Sequence, residues 1–178
     1  MSMRRKTDRK LVFARPHVLS AAAVSSRLAT GKGSERGQMG TNHAAKLPER
    51  LRFLLCIFDS GEYCELAWLE GALRYRKGFV FKEKPSCQLE CTPDPKHWAH
   101  FWRDLDRIGV WSWKPEYPNP DFLHGKGWQL EIARDGRTLN SKGDNGYPGP
   151  RGAGNAASSP FGQLIAALRA LSGIKEIS

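Results

Sequence analysis

Two rhythms of hydrophobic spacing run through this chain, one of period two and one of period three to four, and they alternate along it. Leu51-Arg-Phe-Leu-Leu-Cys-Ile-Phe58 is a compact apolar run of the kind that forms a buried strand. From Tyr63 to Leu69 the residues alternate, with Cys64, Leu66 and Trp68 on one face and Glu65 on the other. Glu70-Gly71 permits a tight reversal into Leu73-Arg-Tyr-Arg-Lys77, which alternates again. Phe79-Val-Phe81 and Cys87-Gln-Leu-Glu-Cys91 continue the pattern, and Cys87, Leu89 and Cys91 share a strand face suited to small apolar core residues. Together these segments predict a meander of short antiparallel strands.

The period then changes. Trp98, Phe101, Trp102, Leu105 and Ile108 fall at i, i+3, i+4, i+7 and i+10, a single apolar stripe on a helix. Asp94 is placed to cap it, Pro95 suits the first turn, and Gly109 sits where a left-handed terminal residue is wanted. Val110-Trp-Ser-Trp113 alternates like a strand, as does Trp128-Gln-Leu-Glu-Ile-Ala133. Asp135-Gly136 is a strong hairpin signal, returning the chain as Arg137 to Lys142. Ser159 and Pro160 open a second stripe, Phe161, Leu164, Ile165, Leu168 and Leu171, which Gly173 ends. The order strands, helix, strands, helix predicts an α+β fold. Its expected form is a mostly antiparallel sheet of about six to seven short strands with two amphipathic helices packed on one face.

From Trp98 to Gly173 the motifs form a pattern. Trp98-x-x-Phe-Trp-x-x-Leu-Asp-x-Ile-Gly-Val-Trp-x-Trp113 leads to Tyr117-x-Asn119, Trp128-x-Leu-x-Ile132 and Ser141-x-Gly-x-Asn-x-Tyr-Pro148, and a Phe/Leu helix closes it. This stretch resembles a group of small bacterial proteins known only as hypothetical. The resemblance implies the fold and the choice of loops, and implies no activity. The Gly-rich stretch from Gly149 to Ser159 is longer than that pattern leads one to expect.

Composition locates the core. Of six tryptophans and eight phenylalanines, all but Phe13 follow residue 50. The net charge of +10 divides unevenly: residues 1–38 hold nine Lys/Arg against Asp8 and Glu35, and the remainder holds 19 Lys/Arg against 16 Asp/Glu. The folded part is thus at +3, too little to attract a polyanion, and the basicity belongs to the arm. Residues 1–38 have few large apolar side chains and are expected to be a disordered arm, leaving 39–178 as a single domain. Three readings of the arm stay open: a dispensable extension with Met39 as the true start, an organelle-targeting peptide, or a basic tail that contacts nucleic-acid phosphates. Val18 to Val24 is too short and polar for a secretory core, and no stretch approaches transmembrane length. A soluble cytoplasmic protein with reduced Cys56, Cys64, Cys87 and Cys91 is expected, without membrane contact.

Catalytic motifs are absent from the sequence: there is no GxSxG, HExxH, GxGxxG or GxxxxGK[ST]. The most site-like segment is Ser141-Lys-Gly-Asp-Asn-Gly-Tyr-Pro148, where Ser141 and Asn145 offer hydrogen bonds and Tyr147 a stacking face. Trp113, Tyr117 and Asn119 come from a second irregular segment that can meet it. The opposing reading is that Tyr117 and Tyr147 plug the sheet end while Asn145 satisfies loop backbone. Cys87-x3-Cys91-x5-His97-x2-His100 matches no structural zinc spacing. His97, His100 and Asp104 line one flank of the first helix, as a metal or proton-shuttle site or as a solvated face. The expected function is a non-catalytic binding or accessory domain that uses the loops near Tyr117 and Tyr147 for a protein or small-molecule partner, without a cofactor. The alternatives are nucleic-acid association through the arm, and an enzyme or metal-binding protein centred on His97, His100 and Asp104.

Overall fold

The computed structural model describes residues 46–119, 121, 125–150, 154 and 156–177; the basic arm read over 1–38 lies outside them. Within these residues the strands are β1 (Arg50–Ile57), β2 (Glu62–Leu69), β3 (Ala72–Phe79), β4 (Cys87–Cys91), β5 (Glu116–Pro118), β6 (Lys126–Arg134) and β7 (Arg137–Asp144). The helices are α1 (Pro95–Arg107) and α2 (Pro160–Ser172). The strands form one sheet in the order β4-β3-β2-β1-β6-β7-β5. Every neighbouring pair is antiparallel except β5 and β7, which run parallel. The fold is α+β, as the alternation of periods predicts.

Register explains the core. Phe53 on β1 pairs with Leu66 on β2 and Leu130 on β6, and all three are buried. One step along, Leu55 pairs with Cys64 and Trp128, again all buried. Residues two apart share a side of a strand, so Trp68 and Trp128 lie on the same side as this row. Phe161 of α2 packs on Phe53 and Trp128, with ring centroids 6.3 and 5.0 Å apart. Trp98 of α1 meets Trp68 edge-on at 5.2 Å. The opposite side of the same strands carries Arg52, Glu65, Arg76 and Glu131, one polar row across β3, β2, β1 and β6.

The helix ends follow their capping residues. Asp94 accepts from the His97 backbone N–H at 2.9 Å, and Ser159 accepts from that of Gly162 at 3.0 Å, each just ahead of a proline. Each helix is followed by a left-handed glycine, Gly109 (φ 67°) and Gly173 (φ 72°). Both expected hairpins form, with positive φ at Glu70 and Asp135.

Four segments differ from expectation. Phe79-Val-Phe81 is not a strand of its own: β3 ends at Phe79, and Val80 and Phe81 lie in an exposed turn. Part of the segment read as irregular, Glu116–Pro118, forms the short strand β5. Val110 to Trp113 is a 3-10 turn (Val110–Ser112) rather than a strand. Gly109 redirects the chain, the Ser112 and Trp113 N–H groups close back on Gly109 and Val110, and Val110 and Trp113 are buried. So short an alternation reads equally well as one tight turn with Val110 and Trp113 facing inward. On β4 the face of Cys87, Leu89 and Cys91 is not core: Leu89 is 45% exposed, Cys87 is exposed and Cys91 half-buried. Leu89 pairs with the buried Tyr75, but among the described residues β4 is the last strand, with no neighbour beyond it.

Candidate functional site

The six side chains singled out from the sequence do converge, around Trp128. This β6 tryptophan is buried and meets Trp113 edge-on at 6.0 Å, Tyr117 at 5.9 Å and Phe161 at 5.0 Å. Its indole N–H donates to the Gly146 carbonyl at 2.8 Å. Gly143, its partner on β7, has no room for a side chain: a Cβ there would lie 2.1 Å from the Trp128 Nε1 and 2.2 Å from the Gly146 oxygen. Tyr147 packs on Phe161 with ring centroids 4.8 Å apart and planes tilted by 55°, and burial pushes its hydroxyl pKa up.

Polar atoms here join backbone to backbone. The buried Ser141 hydroxyl donates to the Lys114 carbonyl at 2.7 Å, and the Lys114 N–H donates to the Tyr117 hydroxyl at 2.9 Å. The Lys142 N–H reaches the Pro115 carbonyl at 3.0 Å. Asn119 donates from its backbone to Asp144 at 2.8 Å and from its side chain to the Asn145 carbonyl at 3.3 Å. Asn145, with φ at 52°, donates its N–H to the Lys126 carbonyl and accepts the Lys126 N–H on Oδ1 at 2.9 Å. Such a cluster ties β5 to β7 and β7 to β6. Half-buried rings of Tyr117 and Tyr147 and the exposed Lys142–Glu116 pair at 2.9 Å border it.

The flank of α1 is organised differently. His97 Nδ1 lies 2.9 Å from the Asp94 carboxylate that caps the helix, and Asp104 pairs with Arg107 at 3.3 Å. His97 and His100 are exposed. Among the described residues no group of three or more His, Cys, Asp or Glu side chains is placed to hold a metal ion. Nor is any of their helices long and apolar enough to cross a membrane.

Two features escaped the sequence reading. The first is the charged row. Glu65 is buried and bonds Arg52 Nε at 2.7 Å and the Arg76 guanidinium, while Arg52 also reaches Glu131 at 3.4 Å. Burial alone would push the Glu65 carboxyl up, but bonds and charge from Arg52 and Arg76 outweigh it and hold the pKa below its ordinary value. The sequence signal was Arg52 inside an otherwise apolar run.

The second is the contrast between the sheet's edges. At one end β5 has three residues, and Pro118 has no N–H to offer. At the other end β4 has five residues, without proline or lysine, and among the described residues pairs only with β3. Leu89 on it is exposed, and the loop leading to it carries Val80 and Phe81, 52% and 79% exposed. The chain matches no family model, and none of the curated proteins compared with it matches either.

Proposed function

We propose that this domain is a non-catalytic binding module that takes up an extended protein segment along β4. The observation that carries this reading is the difference between the two sheet edges. An edge strand presents N–H and C=O groups to any chain of matching pattern, and proteins usually blunt such edges with proline, lysine or very short strands. β5 is very short and ends in proline, whereas β4 is longer and carries only the charge of Glu90. Strand addition takes affinity from main-chain hydrogen bonds and specificity from alternate side chains. Leu89 supplies an apolar contact on that edge. The Tyr117 and Tyr147 cluster then serves as closure of the opposite edge, since its polar atoms bond the strands it joins.

Selection of displayed linear peptides on the full chain tests the reading. Enriched peptides should alternate apolar and polar residues, and their binding should fall at least tenfold in Leu89→Lys. Failure to enrich any peptide, or binding that Leu89→Lys leaves unchanged, overturns it.

A second reading has its own observation, the concentration of positive charge in residues 1–38. We propose it as nucleic-acid association through the arm. It predicts salt-sensitive binding to duplex DNA or RNA that disappears on deleting 1–38; equal binding by 39–178 contradicts it.

A further inference from the structure

We infer that the segment β4 receives is β4 of a second copy of this chain, paired antiparallel about a two-fold axis at Leu89. This rests on the β4 reading above and names its partner. Cys87-Gln88-Leu89-Glu90-Cys91 is nearly palindromic in chemical character. Antiparallel pairing centred on Leu89 places Leu89 opposite Leu89, Gln88 opposite Glu90, and Cys87 opposite Cys91. Such self-complementarity is what a closed two-fold interface requires.

Charge selects this arrangement. Glu90 is the one charged residue of β4, and Arg74 holds it at 3.0 Å within its own chain. In-register parallel pairing would set Glu90 against Glu90, a destabilising contact of like charges. The antiparallel pairing instead sets Glu90 against neutral Gln88, which is itself paired with Arg76 on β3. Each carboxylate then lies in a row between Arg74 of its own chain and Arg76 of the other. On the other side of the sheet, Leu89 meets its copy and loses its solvent exposure. A five-residue strand pair is at the small end of interface sizes, so the dimer depends on concentration.

The cysteines supply a reporter. Residues 87 and 91 lie four positions apart on one strand, about 13 Å, too far to bridge within a chain. Across the proposed pair they face each other at the ~4.5–5.5 Å Cα separation of antiparallel partners, within disulfide range. Diamide would take two protons and two electrons from each Cys87–Cys91 thiol pair and leave a covalent dimer.

The experiment is sedimentation of the full chain from micromolar to near-millimolar concentration, with peptide mapping after diamide treatment. Expected are a monomer–dimer equilibrium and an intermolecular Cys87–Cys91 bond. Leu89→Lys, which opposes two lysines, and Gln88→Glu, which opposes two carboxylates, should each weaken the dimer at least tenfold. Both positions are exposed, so the melting temperature reports whether either variant is misfolded. A monomer at all concentrations, or a dimer linked Cys87 to Cys87, overturns the self-pairing. If that monomer still binds selected peptides through Leu89, the self-pairing alone has failed; if it binds none, the β4 reading has failed as well.

Discussion

The two edges of one sheet have opposite characters in this molecule. At β5 the last strand is three residues long, ends in Pro118, and is stitched to β7 and the loop after it by backbone bonds at Pro115 and Asp144 and by the Asn119 side chain at the Asn145 carbonyl. Aromatic rings from β6, α2 and two loops close over that end. At β4 a longer strand stands, among the described residues, with only β3 beside it and an apolar side chain exposed in its centre. The difference teaches where side chains of similar type do different work: Tyr117 and Asn119 complete an edge, and Leu89 leaves one open.

Changes at the closed edge should cost the most stability. Trp128→Ala removes the ring on which Trp113, Tyr117 and Phe161 converge and should destabilise the fold by about 3–5 kcal/mol in chemical denaturation. A loss under about 1 kcal/mol would mean that the cluster is not structural. Next in size is Glu65→Gln on the polar side, expected to cost about 1–3 kcal/mol because Arg52 and Arg76 lose a charged partner. Since folding lowers the Glu65 pKa, its contribution is full above the unfolded carboxyl value of 4.5 and is lost as pH falls through the lower folded value. The variant should therefore show a shallower decline of stability in acid, and an unchanged acid slope would contradict the account.

Smaller effects sharpen the contrast. Ser141→Ala takes the buried hydroxyl from the Lys114 carbonyl and should cost about 1–2 kcal/mol, seen as a lower midpoint of unfolding. Leu89→Lys at the open edge should move stability by no more than about 0.5 kcal/mol while weakening association. A large loss of stability there would make Leu89 part of the fold after all.

Elements governed by local chemistry were legible from residues alone. Asp94 and Ser159 cap their helices, the stripes from Trp98 and Phe161 are buried, and Glu70-Gly71 and Asp135-Gly136 turn hairpins. What depends on strand order was not. Leu89 has the spacing of a core residue, and only the position of β4 at the end of the sheet exposes it. The parallel pairing of β5 with β7 follows from contacts between segments more than twenty residues apart, which no local period encodes. Likewise, Trp113, Tyr117, Asn119, Ser141, Asn145 and Tyr147 were legible as a group, but that Tyr117, Asn119, Ser141 and Asn145 bond backbone atoms of Lys114, Lys126 and Asn145 emerges only from the assembled loops.

Amide hydrogen exchange on the full chain, read with and without a synthetic peptide of residues 84–93, tests strand addition at β4 most directly. The account predicts slowed exchange confined to amides of Cys87–Cys91, with those of Glu116–Pro118 unchanged. Protection at the β5 end, or peptide binding that leaves the β4 amides exchanging as before, would contradict it.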